Sequence, residues 1–300
     1  MAQLSLVVRK QFTEGDEVRD AGLTTPEGIV RYDDIVYGED DYWQALDVYR
    51  PQAGGDEKLP CIVSVHGGAW VYGDKDRYQW YCMSLAQRGF AVVNFTYRLA
   101  PEFQFPAGLE DTASVFAWIA ANADAYGIDL DNVFAVGDSA GAHMLSMYTA
   151  MLSNADYAAE VGIDMSQSPA LKAIALNCGA FRIEPPKPED EGTMTELTSG
   201  IMGELLPGGG TAEELALISP IDHLKAPWPP TFVMTAEGDF LRDAALPFVH
   251  ALDELDTEVC YHFYKSAERE LGHVFHCNMR LVEAARCNDD ECDFFSSFVD

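Results

Sequence analysis

Basic residues are scarce in this sequence, which has 19 lysines and arginines against 49 aspartates and glutamates. The resulting formal net charge is −30 at pH 7. Because nucleic acids and anionic lipid surfaces attract proteins largely through lysine and arginine, this balance argues against both as partners. The acidic excess predicts a well-solvated surface, and composition alone leaves adaptation to high salt as a second explanation.

Long apolar runs and patterned cysteines are also lacking. No run of about 18 apolar residues occurs, so we expect no membrane span. The short apolar stretch near the N-terminus has no basic residues before it, so we expect no secretory signal. The seven cysteines show no C-x-x-C spacing. This predicts free thiols, no metal site and a reducing, cytoplasmic compartment. The sequence leaves open whether the protein forms a homo-oligomer.

Strand and helix patterns alternate along most of the 300 residues. Short apolar runs of this kind are typical of buried parallel strands, and the alternation predicts a single α/β domain over 1–300 with a mostly parallel sheet and helices on both faces. Predicted strands lie near 29–37, 43–50, 61–65, 90–97, 132–137, 171–179, 230–239 and 258–264. Predicted helices lie near 81–89, 108–127, 140–153, 243–255 and from about 274.

Two segments depart from this alternation, residues 1–40 and 182–227. The second contains three proline- or glycine-rich stretches and is long for a connection after a core strand, which is typical of a lid or a substrate-binding element. We therefore expect both segments to form a cap. The apolar face of the lid is predicted to comprise Met194, Leu197, Ile201, Met202, Leu205 and Leu206.

The motif GDSAG at 137–141 follows a β-favouring run and precedes a helical pattern. A strand that enters a helix through a very tight turn needs glycines where backbones approach, and it lifts the central side chain above the sheet edge. Ser139 is then a candidate nucleophile beside a helix N-terminus, where N–H groups stabilise an anion. An ordinary glycine-rich turn is the alternative.

The stretch HGGAW at 66–70 leaves the predicted strand 61–65. Glycines at such an exit let backbone N–H groups face a developing oxyanion. We expect Gly67, Gly68 and Ala140 to supply three donors. His66 precedes the nucleophile and sits in this loop, so we expect it to hold the loop by hydrogen bonding rather than to act as the base.

An acid and a base should follow the serine in that order. Asp239 lies at the end of the strand 230–239 and is the favoured acid. Glu237 and Asp243 are alternatives, although Asp243 looks more like the N-cap of the next helix. His273 follows the last strand and is the favoured base, whereas His276 is expected on the following helix.

Five motifs occur in one order over about residues 43–285, and together they resemble the hormone-sensitive-lipase-like branch of the α/β-hydrolases. They are HGGAW (66–70), YRLAPE (97–102), GDSAG (137–141), D-x-L-R-D (239–243) and HVF (273–275). The resemblance implies an eight-stranded sheet, a cap from the N-terminus and the insertion, and esterase activity without a cofactor. It implies the same triad, Ser139, Asp239 and His273, with Gly67, Gly68 and Ala140 as oxyanion donors. The common HGGG reads HGGA here, which affects the shape expected for the acyl pocket.

The leading hypothesis is a serine hydrolase for small, short-acyl carboxylic esters. An amide-cleaving relative, such as an arylformamidase or peptidase, uses the same machinery. A non-catalytic binding module on this fold is a third interpretation, against which the complete set of triad candidates argues. Trp70 follows the oxyanion loop and Phe240 follows the proposed acid, so both are expected to narrow the substrate pocket or, alternatively, to pack the core.

Overall fold

The structure is a computed structural model that describes residues 3–52, 57–185 and 193–299, with the backbone alone for 193–197. Its strands form one sheet in the order β1-β2-β4-β3-β5-β6-β7-β8. The strands are β1 Ile29–Val36, β2 Ala45–Pro51, β3 Leu59–Val65, β4 Ala91–Phe95, β5 Ile128–Asp138, β6 Ala173–Asn177, β7 Thr231–Ala236 and β8 Val259–Tyr264. Each of them overlaps a predicted strand.

Six of these strands, β3 to β8, run parallel, while β2 pairs antiparallel with both β1 and β4. The described helices are α1 Leu4–Asp20, α2 Lys75–Ala86, α3 Ala107–Tyr126, α4 Ala140–Ser153, α5 Ala155–Val161, α6 Thr193–Leu205, α7 Ala212–Leu217, α8 Ala245–Asp253 and α9 Val282–Ser296. In the part of the chain that the structure describes, none of these helices is both long enough and apolar enough to cross a membrane.

The sheet separates two apolar cores, as the alternation of side chains along buried strands requires. Along β3, Val63 faces the core that also contains residues of α3, α4 and α8. Its neighbour Ile62 faces the second core, with residues of α2 and α9. The expected α/β architecture with helices on both faces is confirmed, and the carboxyl ends of the parallel strands are left to carry functional side chains.

The weakly periodic N-terminal segment contains a 17-residue helix, α1, that no strong pattern predicted. It lies against α6, where the Leu4 N–H donates to Glu204 Oε1 at 2.6 Å. Of the predicted lid face, Ile201, Met202, Leu205 and Leu206 are buried. The side chains of Met194 and Leu197, and all of 186–192, lie outside the described residues.

Three local predictions were wrong. Helix α2 begins at Lys75 rather than near 81, because the Asp74 side chain caps it by accepting from the Arg77 N–H at 2.9 Å. The last helix begins at Val282, and residues 275–277 form a separate 3-10 turn that holds His276 fully buried. Asp243 caps no helix, because it lies within a 3-10 turn with its side chain 96% exposed.

Candidate active site

The turn between β5 and α4 is strained at one residue. Ser139 has φ 51° and ψ −117°, a conformation that costs free energy for any residue other than glycine. A Cβ on Gly141 would overlap the Val65 carbonyl oxygen, and a Cβ on Gly137 would lie 2.6 Å from the Gly141 backbone. The two glycines therefore let the strand, the helix and β3 meet closely enough to raise Ser139 above the sheet edge.

Ser139, His273 and Asp239 form one hydrogen-bonded chain. His273 Nε2 lies 2.9 Å from Ser139 Oγ, and His273 Nδ1 lies 2.7 Å from Asp239 Oδ1. Because a carboxylate only accepts, Nδ1 carries the imidazole proton and the Nε2 lone pair faces the serine hydroxyl. The three side chains come from the ends of β5, β7 and β8, which are far apart in the sequence.

Asp239 is held by two further groups that the sequence analysis missed. Thr235 Oγ1 donates to Asp239 Oδ2 at 2.6 Å, and the Leu241 N–H donates to Oδ1 at 2.9 Å. Burial opposes ionisation, but the His273 contact and these hydrogen bonds together lower the pKa of Asp239. The carboxylate is consequently charged near neutral pH and oriented toward His273. Of the alternative acids, Asp243 is exposed, and Glu237 accepts from the Ser266 N–H.

The loop after β3 offers backbone donors, but from one residue later than predicted. The Gly67 N–H donates to Tyr78 Oη at 3.0 Å and to Asp138 Oδ1 at 3.2 Å, so the prediction that it faces an oxyanion was wrong. Among the described residues, the N–H groups of Gly68 and Ala69 have no protein acceptor. Positive φ angles of 122° at Gly68 and 51° at Ala69 turn the chain after Gly67.

His66 lies beneath this loop rather than in the reactive centre. Its Nδ1 lies 2.7 Å from the Gly67 carbonyl oxygen, to which it donates, and its ring stacks on Tyr97. Burial lowers the pKa of His66 to about 4, so the ring is neutral near pH 7. The expected loop-holding hydrogen bond is present.

A pocket of about 490 Å³ opens around Ser139 and His273. Helix α1 lines it through Val8, Phe12 and neighbouring residues, and α6 contributes Ile201. Trp70 and Phe240 both line it as well. Phe240 is 54% exposed and its ring centroid lies 4.2 Å from that of His273, so it belongs to the pocket rim rather than to the core.

Two groups of side chains satisfy the distances of a metal site within the described part of the chain. One comprises Cys178, Asp239 and His273, and the other comprises Asp138, His276 and Cys277. Burial raises the pKa of both cysteine thiols. In the first group, the Asp239 and His273 atoms already bond to each other.

Comparisons with known proteins show that this chain is similar to one protein family and to several proteins named as esterases. The family model BD-FAE matches residues 46–245. Esterase LipQ of Mycobacterium tuberculosis is 30% identical over 208 residues, which is 69% of this chain and 48% of that protein. Versiconal hemiacetal acetate esterase of Dothistroma septosporum is 29% identical over 204 residues, which is 65% of this chain and 61% of that protein.

The solved structure of esterase B from Lactobacillus rhamnosis superimposes with a TM-score of 0.86. The sequence identity is 24%, and the match covers 96% of this chain and 92% of that one. The two curated relatives are longer, and this chain spans about half to three fifths of their length.

Proposed function

The chain belongs to the BD-FAE family, in the hormone-sensitive-lipase-like branch of the α/β-hydrolases, and on that basis we propose that it is a serine hydrolase of short-acyl carboxylic esters. The observation that carries this proposal is the hydrogen-bonded chain from Asp239 through His273 to Ser139, with contacts of 2.7 and 2.9 Å. The α/β-hydrolase fold and the family predicted from the motifs are confirmed. We assign the roles of the individual residues as follows from this geometry.

Ser139 is the nucleophile in this mechanism. Its Oγ attacks the ester carbonyl carbon while His273 Nε2 takes the hydroxyl proton, and Asp239 stabilises the imidazolium that forms. The carbonyl π electrons move onto oxygen, which becomes the oxyanion of a tetrahedral intermediate. When the intermediate collapses, the bond to the alkoxy oxygen breaks, and His273 gives that oxygen the proton as the alcohol leaves.

We assign the oxyanion donors to Gly68, Ala69 and Ala140. Their N–H groups have no protein acceptor among the described residues and lie at the loop after β3 and at the first turn of α4. The Ala69 side chain in place of a third glycine leaves its N–H available. Each such donor acts on charge that develops only in the transition state, where it is worth most.

Deacylation repeats the proton transfers with water. His273 takes a proton from a water molecule that attacks the acyl-enzyme carbonyl carbon. The negative charge of the resulting intermediate lies on the oxygen that faces the oxyanion donors. Its collapse breaks the bond to Ser139 Oγ, which recovers its proton from His273. A carboxylic acid leaves, and no cofactor takes part in any step.

The substrate class follows from how the pocket is covered. We propose that α1 and the insertion 182–227 form the cap of a single domain, since both line the pocket with Ser139. A volume of about 490 Å³ bounded by Trp70 and Phe240 suits small, neutral esters. The name of the Dothistroma relative specifies an acetate ester, which agrees with a short acyl group.

We also propose that the protein works in the reducing cytoplasm. Six of its seven cysteines are buried, and none of the seven forms a disulfide. Free thiols of this kind persist where glutathione and thioredoxin keep them reduced.

The test of this function is a hydrolysis profile over p-nitrophenyl esters of increasing acyl length, run beside an aryl formamide and a peptide amide. We expect the highest kcat/KM on C2 to C4 esters and a steep fall by about C8, because added methylenes meet a steric limit. A formamide that exceeds every ester would contradict ester specificity. A profile that rises toward C10 would contradict the short-acyl assignment.

A further inference from the structure

Trp70 separates two apolar spaces. On one side is the pocket of about 490 Å³ that holds Ser139. On the other side is a cavity of about 20 Å³, which is room for one water-sized sphere. Leu109, Met144 and Met147 line this second cavity, and Trp70 lines both spaces. Removing the indole would therefore join them.

A hydrogen bond to His143 on α4 fixes the orientation of the indole. Trp70 Nε1–H donates to His143 Nδ1 at 3.2 Å, and the two rings are nearly perpendicular, with an interplanar angle of 86°. Since an indole N–H only donates, His143 Nδ1 must accept and Nε2 must carry the proton. That proton is donated to the Ile218 carbonyl oxygen at 2.6 Å. Burial lowers the pKa of His143 to about 4, so this neutral form persists near pH 7.

The backbone at Trp70 is strained as well. Its φ is 59°, a value that is rare for a bulky residue and that persists only when surrounding contacts enforce it. The bond to His143, which is itself held by Ile218 in the insertion, is such a contact. The fold thus keeps a strained backbone conformation at Trp70, and this conformation holds a large ring at this position.

The position of His273 identifies which part of the substrate meets Trp70. The leaving alcohol oxygen must come within reach of His273 Nε2 to receive its proton. The Phe240 ring lies beside the His273 ring, with the centroids 4.2 Å apart and an interplanar angle of 40°, so the alcohol side of the site is the side that Phe240 borders. Trp70 contacts His143 instead and directly follows the donors at Gly68 and Ala69. It therefore faces the acyl group.

We infer that the Trp70 indole, held by His143, is the end wall of the acyl site and sets the longest acyl chain that the enzyme accepts. The cavity between Leu109, Met144 and Met147 is the space that a longer chain would occupy if this wall were removed. This inference rests on the proposed esterase function and adds to it the residue pair that determines chain length.

The experiment measures kcat/KM for p-nitrophenyl esters from C2 to C12 with wild type and Trp70→Ala. The ratio of the C8 to the C4 value should rise by about tenfold or more in the variant, as expected when a steric limit of one or two methylenes is relieved. The matched control is Phe240→Ala, which removes a ring on the alcohol side. It should alter the preference among acetate esters of different alcohols and leave the C8 to C4 acyl ratio within about twofold of wild type.

A second substitution tests whether the gain comes from the cavity. Adding Met147→Phe to Trp70→Ala refills that space, and the C8 to C4 ratio should return toward the wild-type value. If Trp70→Ala does not fold, Trp70→Gly replaces it, because glycine adopts a φ of 59° without strain.

The outcomes separate this inference from the proposed function. Wild type that hydrolyses no ester would refute the function itself. A folded Trp70 variant that still hydrolyses C4 esters with an unchanged C8 to C4 ratio would overturn the end-wall assignment alone. The same conclusion would follow if Phe240→Ala shifted the acyl ratio as much as Trp70→Ala.

Discussion

Glu291 on α9 is a fully buried carboxyl group whose removal should stabilise the protein at alkaline pH. Tyr81 Oη donates to its Oε1 at 2.8 Å, and Asn177 Nδ2 donates to its Oε2 at 2.7 Å. No cation lies within ion-pair distance among the described residues. Burial outweighs the two hydrogen bonds and raises the pKa of Glu291 to about 7.

The sign of the effect follows from proton binding in the two states. Between about pH 4.5 and 7 the folded protein keeps a proton on Glu291 that the unfolded chain releases, so the free energy of unfolding falls as the pH rises through that window. A difference of about 2.5 pKa units corresponds to a loss of about 3 kcal/mol above pH 7. Below about pH 4.5 both states are protonated and the loss disappears.

Glutamine fits the same space without a charge. In Glu291→Gln the amide oxygen can still accept from Tyr81, and its NH₂ group needs an acceptor. Asn177 Oδ1 is buried without a hydrogen-bond partner. If the Asn177 amide flips, this oxygen accepts from the glutamine NH₂ group. The Asn177 nitrogen then takes the unpaired position, so the number of unpaired atoms is unchanged. We therefore expect Glu291→Gln to raise the free energy of unfolding at pH 8 by about 1–3 kcal/mol, with little change at pH 5.

Chemical denaturation at both pH values measures this difference. Glu254→Gln, on an exposed position after α8, is the control and should change the stability by less than about 0.5 kcal/mol at either pH. A Glu291→Gln protein that is less stable than wild type at pH 8, or whose change in stability is the same at pH 5 and pH 8, would contradict the effect expected from the buried carboxyl group.

Three further variants address the catalytic machinery. Asp239→Asn should lower turnover by roughly 10⁴-fold by favouring the wrong imidazole tautomer, while Asp243→Asn should change it little; steady-state kinetics that rank them in reverse would move the acid to Asp243. Tyr78→Phe removes the hydroxyl that accepts from the Gly67 N–H and donates to Asp138 at 2.8 Å. It should lower kcat roughly tenfold with KM nearly unchanged, and an unaltered kcat in a folded variant would show that the oxyanion loop does not depend on this bond.

The sequence predicted the parts of the site that short-range rules control. GDSAG between a β-favouring run and a helical pattern located the strained turn at Ser139, because glycine is required where the backbones of β3, β5 and α4 meet. Topology then indicated which later carboxylate and imidazole could reach it, since ends of parallel strands share one edge of the sheet. Asp239 and His273 lie within hydrogen-bond distance of their predicted neighbours for this reason.

Features that depend on backbone direction or distant packing were not predictable in this way. Whether the N–H of Gly67 or of Ala69 faces the pocket depends on the φ angles after β3. The Tyr78 and Asp138 oxygens that accept from the Gly67 N–H are distant from it in the sequence. Helix α1 was missed because its inner face combines apolar and charged residues. It is therefore much less apolar overall than core helices such as α3 and α4.

The proposed esterase function depends on a covalent intermediate at Ser139, which labelling of that serine tests. Intact-protein mass spectrometry after treatment with a fluorophosphonate should show one adduct per chain, located on Ser139, with parallel loss of p-nitrophenyl butyrate hydrolysis. Ser139→Ala should keep a native circular dichroism spectrum, gain no adduct and lose roughly a millionfold in turnover. A folded Ser139→Ala protein with near-normal turnover, or an adduct on another residue, would contradict the assignment of Ser139 as the nucleophile.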